Sequence, residues 1–311
     1  MIRSLPLPGK KGSRYWNQIL QHRAYYLLLL PALIYVIIFN YVPMYGLQIA
    51  FRDYKGVLGI TGSRWVGLKH FRSFFNGYNF WMLIENTLFL SLYNLVAHFP
   101  IPILLALILN ETKGGFKRFS QTVLYAPHFI STVVLIGMLN TMFSPSMGVI
   151  NTFREMLGME RYYYMTQPGV FRHMYVWSGV WQNMGWDAVI YLAALSAVDP
   201  ELHEAATIDG ASRIQRVIHI NLPTILPTII ILLIMSVGRV ASLGYEKVYL
   251  LQNDLNVDVS EVISTYVYKR GVLNSNYSFS TAVGLFNNAV NIILLLTANF
   301  ISGRFSETSL F

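Results

Sequence analysis

Two apolar stretches of this chain carry polar side chains at positions where apolar ones would cost less. One holds Trp181, Gln182, Asn183, Trp186 and Asp187, and the other holds Ser236, Arg239, Val240 and Leu243. Inside a run long enough to cross a bilayer, such groups face a bundle interior or a solute path rather than lipid. On a helix, positions 181, 182, 185 and 186 share one face, which gathers indoles and an amide. Indole stacks on the C–H face of a sugar ring, and amides exchange paired hydrogen bonds with its hydroxyls. Positions 236, 239, 240 and 243 follow i, i+3, i+4 and i+7 and put a guanidinium on a second face. Two blander readings stand beside this sugar wall. The tryptophans would belong to an interfacial aromatic belt, or Asp187 would pair permanently with Arg239. Asp187 lies about a dozen residues from the next polar segment, roughly 18 Å along a helix, which puts it near mid-membrane and favours the path. A guanidinium there costs about 2.5–3.5 kcal/mol, so Arg239 needs a partner. Either Asp187 supplies it, or a carboxylate of the solute grips the planar fork with two hydrogen bonds.

That next segment is Glu204-Ala205-Ala206-Thr207-Ile208-Asp209-Gly210-Ala211, followed by Ile220-Asn221-Leu222-Pro223. Asp199-Pro200-Glu201 predicts a helix start, with Asp at the N-cap, Pro at N1 and an acid in the first turn. The helix should run to about Ile208 and stop at Gly210, which suits a left-handed turn. Ser212 can then cap a second helix leading through Pro223 into the membrane. Glu204 and Ile208 share a face at i, i+4, and Ala205 and Ala206 let another protein approach closely. A partnerless amphipathic surface helix would not require the small residues, the acid and the glycine together. This short polar island between two spans is the kind of part that passes motion to a soluble partner.

Composition excludes much else. Of 311 residues, 54% are hydrophobic and 12% charged, against about 25% charged in soluble domains. The chain reads as a polytopic membrane protein. The net charge of +8 is spread between apolar runs rather than gathered in a patch, so it suits anionic lipid headgroups and not nucleic acid. With no cysteine there is no disulfide, thiolate metal site or cysteine nucleophile. His98, His128 and His219 have no metal-ligand spacing and read as structural. No catalytic constellation stands out, so the chain is not expected to be an enzyme. No G-x-x-x-x-G-K-[ST] phosphate cradle occurs, so any ATP and Mg belong to a separate subunit, and this chain is expected to hold no cofactor or metal.

Runs of roughly 20 apolar residues predict six transmembrane helices in an all-α fold, near residues 24–51, 86–110, 118–143, 174–198, 222–243 and 280–302. A lone span must be helical to satisfy its own backbone. Long aromatic connections at 52–84, 144–173 and 244–279 lie on one side. The short loop 111–118, the island at 199–221 and both termini lie on the other. Basic residues divide almost evenly between the two sides. The tail Met1–Arg23, with five basic residues and no acid, tips the N-terminus to the inside. Residues 1–23 read as a basic tail and 24–311 as one membrane domain, with its core at about 82–303.

These stretches resemble a known family. The order E-A-A-x-x-D-G, then nine residues, then I-x-L-P is similar to the ATPase-docking loop of permease subunits in binding-protein-dependent ABC importers of the carbohydrate-uptake class. Trp65-Val66-Gly67-Leu68-Lys69-His70-Phe71 with Asn86-Thr87-Leu88, Leu105-Ala106-Leu107-Ile108-Leu109-Asn110 and Gly148-Val149-Ile150-Asn151 agree with it. Tyr45-Gly46-Leu47-Gln48-Ile49-Ala50-Phe51, the segment from Gln121 to Ser131 and Thr281-Ala282-Val283-Gly284-Leu285-Phe286 resemble the branch importing oligosaccharides and polysaccharide fragments, uronate-containing ones included.

The resemblance implies a type I importer permease fold in the bacterial cytoplasmic membrane, with cytoplasmic termini and island. It also implies a second, similar permease, two ATPase copies, an extracytoplasmic solute-binding protein and an oligosaccharide substrate. Glu204, Ala205, Ala206, Ile208, Asp209 and Gly210 would form the coupling contact. In related sugar permeases the corresponding stretches of spans four and five touch sugar; Trp186 and Ser236 match in type, whereas Arg239 departs. The rival reading is a proton- or ion-coupled secondary transporter using Asp187 and Arg239, but such a carrier needs no docking island and often shows inverted repeats.

Overall fold

The computed structural model describes residues 21–305, all but three residues of the expected tail 1–23 lying outside them. Among the described residues, a continuous helix, α1 (Arg23–Phe51), comes first. It leads into a short antiparallel pair, β1 (Arg52–Lys55) and β2 (Ser63–Trp65), in which Arg52 faces Trp65 and Asp53 faces Arg64. Helix α2 (Lys69–Phe75) follows, and a hydrogen bond from Lys69 holds the Asp53 carboxyl below its usual pKa. Next come α3 (Phe80–His98) and α4 (Pro100–Glu111), which run on as one 32-residue span. Pro100 at the first position of α4 continues this path without needing an N–H.

The residues expected as the third span are bent by 97° between α5 (Gly114–Tyr125, extended by a tight turn to Phe129) and α6 (Thr132–Met142). Pro127 sits in the turn, and the Ser131 hydroxyl accepts from the Val134 N–H and restarts the helix. Helix α7 (Val149–Met156) precedes α8 (Pro168–Leu195), whose 28 residues exceed the 174–198 expected. The surface helix α9 (Pro200–Ile208) and the long α10 (Arg213–Val237) come next. Short helices, among them α11 (Tyr245–Leu251) and α12 (Ile263–Tyr268), lie before the final α13 (Tyr277–Phe305).

Among the described residues, four helices are long and apolar enough to cross a membrane, or five counting the bent pair. The remaining span read from sequence, the fourth at 174–198, corresponds to α8, which is long enough but carries the amides and charges that lower its apolar character. That same helix is the centre of the packing. Phe171, Tyr175, Val176 and Val180 join Leu90 of α3, Ile136 of α6 and Val248 of α11 in one core. Lower on α8, Ala188, Tyr191 and Leu195 pack with Ala106 and Leu107 of α4 and Ile225 of α10.

The connection 244–279, expected as a loop, is folded back onto the bundle. Asn86 Nδ2 donates to the carbonyls of Asp258 and Glu261, at 2.8 and 3.1 Å, while its Oδ1 accepts from Arg172 at 3.0 Å. Thr87 accepts from the Ile263 N–H at 3.0 Å. The buried Glu261 accepts from Lys269 and from the Thr265 hydroxyl, so its charge has partners.

Candidate functional site

A groove runs between α3, α8 and the end of α10. It consists of two cavities, of about 460 and 480 Å³, which share Asn94, His98 and Tyr175. The first is lined by Asp187, Tyr191, Ser236, Arg239, Val240 and Leu243 among others. The second is lined by His128, Gly179, Gln182, Asn183 and Lys247 among others.

The four α10-side residues converge on one cavity, though by a different route from the expected helical face. The helix ends at Val237, so Arg239, Val240 and Leu243 occupy the irregular segment after it. Asn291 of α13 holds that segment: its Oδ1 accepts from the Ala241 N–H at 3.0 Å, and its Nδ2 donates to the Ser242 hydroxyl at 2.6 Å. Backbone groups freed by breaking a helix need such partners.

On α8 the expected wall is divided. Gln182 lies in the groove and is anchored through Nε2 to the Ile130 carbonyl at 2.7 Å, and Asn183 lies there too. Trp181 and Trp186 are exposed at 41% and 45% and line neither cavity. Trp186 reaches the groove only through His128, on which it stacks at 4.7 Å.

Asp187 meets His98, with Oδ2 2.8 Å from Nε2. A carboxylate can only accept, so the imidazole donates from Nε2. Among the described residues, no carboxylate lies within 4.0 Å of the Arg239 guanidinium. The Asp187–Arg239 pair weighed from the sequence is therefore absent from this geometry. His128 is fixed in the same manner: Asn183 Nδ2 donates to the Gly179 carbonyl at 3.1 Å, which turns Oδ1 towards His128 Nδ1 at 3.0 Å. His98 and His128, read as merely structural, are groove residues, each oriented by α8. Lys247 was missed because it falls in a segment read as a loop. The signal available was the apolar spacing of Val248 and Leu251, both buried, beside it.

The polar island is a corner held by capping and side-chain hydrogen bonds. The Asp199 carboxylate caps α9 by accepting from the Glu201 N–H at 3.0 Å. Gly210 has φ +79°, and the Ala211 N–H reaches back to the Ala206 carbonyl at 2.8 Å, closing a Schellman-type end. Ser212 and Gln215 form a reciprocal capping box that starts α10. Arg216 ties the two helices by donating to the Thr207 hydroxyl at 2.9 Å. Glu204, Ala205, Ile208, Asp209 and Gly210 are exposed, Ile208 to 86%, and Ala206 is half-buried.

Residues 98–307, which include the island, α8 and the broken end of α10, match the family described as the binding-protein-dependent transport system inner membrane component. The chain belongs to that family. As such a permease it is a transport component. It is 44% identical over 97% of its length to the polygalacturonan/rhamnogalacturonan transport system permease protein YteP of Bacillus subtilis, covering 94% of that protein. Against the arabinooligosaccharides transport system permease protein AraP of the same organism, identity is 25% over 96% of each chain. A chain of the bacterial alginate ABC transporter, solved with an alginate pentasaccharide-bound periplasmic protein, superposes with a TM-score of 0.87 at 40% identity. That match covers 96% of the permease and 100% of the other chain.

Proposed function

We propose that this permease is one transmembrane subunit of an ATP-driven importer of acidic oligosaccharides. In this reading α1, α3 with α4, the bent α5–α6 pair, α8, α10 and α13 are six membrane crossings of a type I importer. An extracytoplasmic binding protein delivers the sugar to the groove, and a second permease completes its wall. The island faces the cytoplasm with both termini and docks one of two ATPase copies, which bind ATP and Mg. As that dimer closes and opens, α9 moves α10 through the Gly210 corner, and the groove alternates between its two openings.

The observation that carries the acidic substrate is Arg239, a guanidinium in the groove with no carboxylate within 4.0 Å among the described residues. Asp187, the partner weighed from the sequence, is engaged by His98. A substrate carboxylate would satisfy Arg239, whereas a neutral sugar would leave its charge unbalanced. The alginate-transporter likeness and the polygalacturonan permease, whose names contain acidic polymers, support the same class.

Arg239→Gln in the assembled complex, in vesicles with its binding protein, tests this. Losing a charge-assisted pair worth about 1.5–3 kcal/mol should lower the acidic-to-neutral uptake ratio roughly tenfold to a hundredfold. An equal loss for acidic and neutral sugars would show Arg239 to be structural.

A further inference from the structure

Lys247 on α11 is a second unbalanced cation. Its Nζ lies over the α8 backbone, donating to the Tyr175 carbonyl at 2.8 Å and sitting 5.0 Å from the centre of the Tyr175 ring. Gly179 leaves room below it: a Cβ there would meet Nζ at 3.0 Å, so the ammonium would have to give by a few tenths of an ångström. The next residue, Val248, is fully buried, which pins the segment in place. Among the described residues no carboxylate lies within 4.0 Å of Nζ. An ammonium has three protons to donate, and one carbonyl uses one of them. A mere tie between α11 and α8 would need only a neutral donor, since an enclosed charge without a counter-charge is costly.

Lys247 lines the second cavity and Arg239 the first, and the two meet at Asn94, His98 and Tyr175. We propose that Lys247 is a second carboxylate-reading residue, so that the groove selects an oligosaccharide with acidic groups on two different sugar units. This rests on the reading of the groove as the passage.

The test uses the complete importer in vesicles and three trisaccharides of one backbone, carrying two, one or no carboxylates, the others reduced to alcohols. The same binding protein serves every variant, so its own selectivity cancels when ratios are compared. Wild type should favour the di-acid over the mono-acid. Lys247→Gln should lower that preference about tenfold, and Lys247→Arg, which keeps the charge, should retain most of it. Gly179→Ala keeps the lysine but crowds its ammonium, which must shift slightly, and should lower the preference in the same direction, by less, even if Lys247→Gln assembles poorly. An unchanged preference in both Lys247→Gln and Gly179→Ala, or an equal loss for all three sugars, would overturn the Lys247 role and leave Arg239 as the acid reader. A wild type indifferent to carboxylates would overturn both readings.

Discussion

At the scale of single residues, Asp187 separates a groove for anions from a proton-coupled path. Its carboxylate holds His98 and repels an acidic solute at the same time. In Asp187→Asn the amide oxygen can still accept from the imidazole, while the repulsion disappears. The variant is therefore expected to keep ATP-driven uptake and to show a KM for acidic oligosaccharides lowered roughly twofold to tenfold. Abolished uptake in this variant would mean that the charge itself is required. Asn86 gives a second prediction. It bridges Arg172 to two carbonyls of the folded-back outer segment. Asn86→Leu strands those groups and should destabilise the permease by about 1–3 kcal/mol, seen as a lower thermal midpoint of the purified complex. Both positions sit in apolar runs and so attract notice in the sequence. Their partners, 86 to 175 residues away in the chain, do not.

Among the elements, the corner between α9 and α10 was the most legible. Each of its signals is local: an Asp–Pro start, a glycine stop and a Ser–x–x–Gln box. A cap or turn depends on neighbours within a few residues, so sequence order is enough to place it. Nothing lies within 4 Å of a Cβ added to Gly210, so strain there comes from its φ of +79° alone. Gly210→Val should then cost about 1–2 kcal/mol locally while the complex still assembles. Ligand-stimulated ATP hydrolysis in vesicles is expected to fall at least tenfold, as is that of Glu204→Lys, whose side chain is exposed and whose change leaves packing alone. Full uptake by both variants would remove the docking role. The end of α10 was less legible. Arg239 to Leu243 continue the apolar run, and only Asn291 of α13 shows why the helix stops at Val237.

The whole molecule offers large surfaces that one chain does not cover. The most apolar stretch of α1 has none of its residues buried, and the two cavities of the groove are open rather than enclosed. Lipid can cover α1, but a groove lined by Arg239, Lys247 and two histidines is a poor surface for lipid. Expressed without its partners, the chain should aggregate in detergent, and co-expression with the second permease and ATPase should restore a monodisperse complex on size-exclusion chromatography. A monodisperse single chain that transports unaided would contradict the half-lined groove.

Hydropathy by itself determined that the chain is a helical membrane protein, because a span must satisfy its backbone within its own length. The island's helix–turn–helix was equally determined, by caps acting over three or four residues. The sequence also named most of the groove's polar residues, since ionisable groups in apolar runs have few other uses. Only the tertiary structure decided which of them meet. Ion pairing depends on distances of a few ångströms between helices far apart in sequence, and no periodicity records that Asp187 pairs with His98 rather than with Arg239. Nor could composition bring Lys247 inward: that required α11 to bury Val248 and Leu251 against α8, which carries the ammonium into the groove.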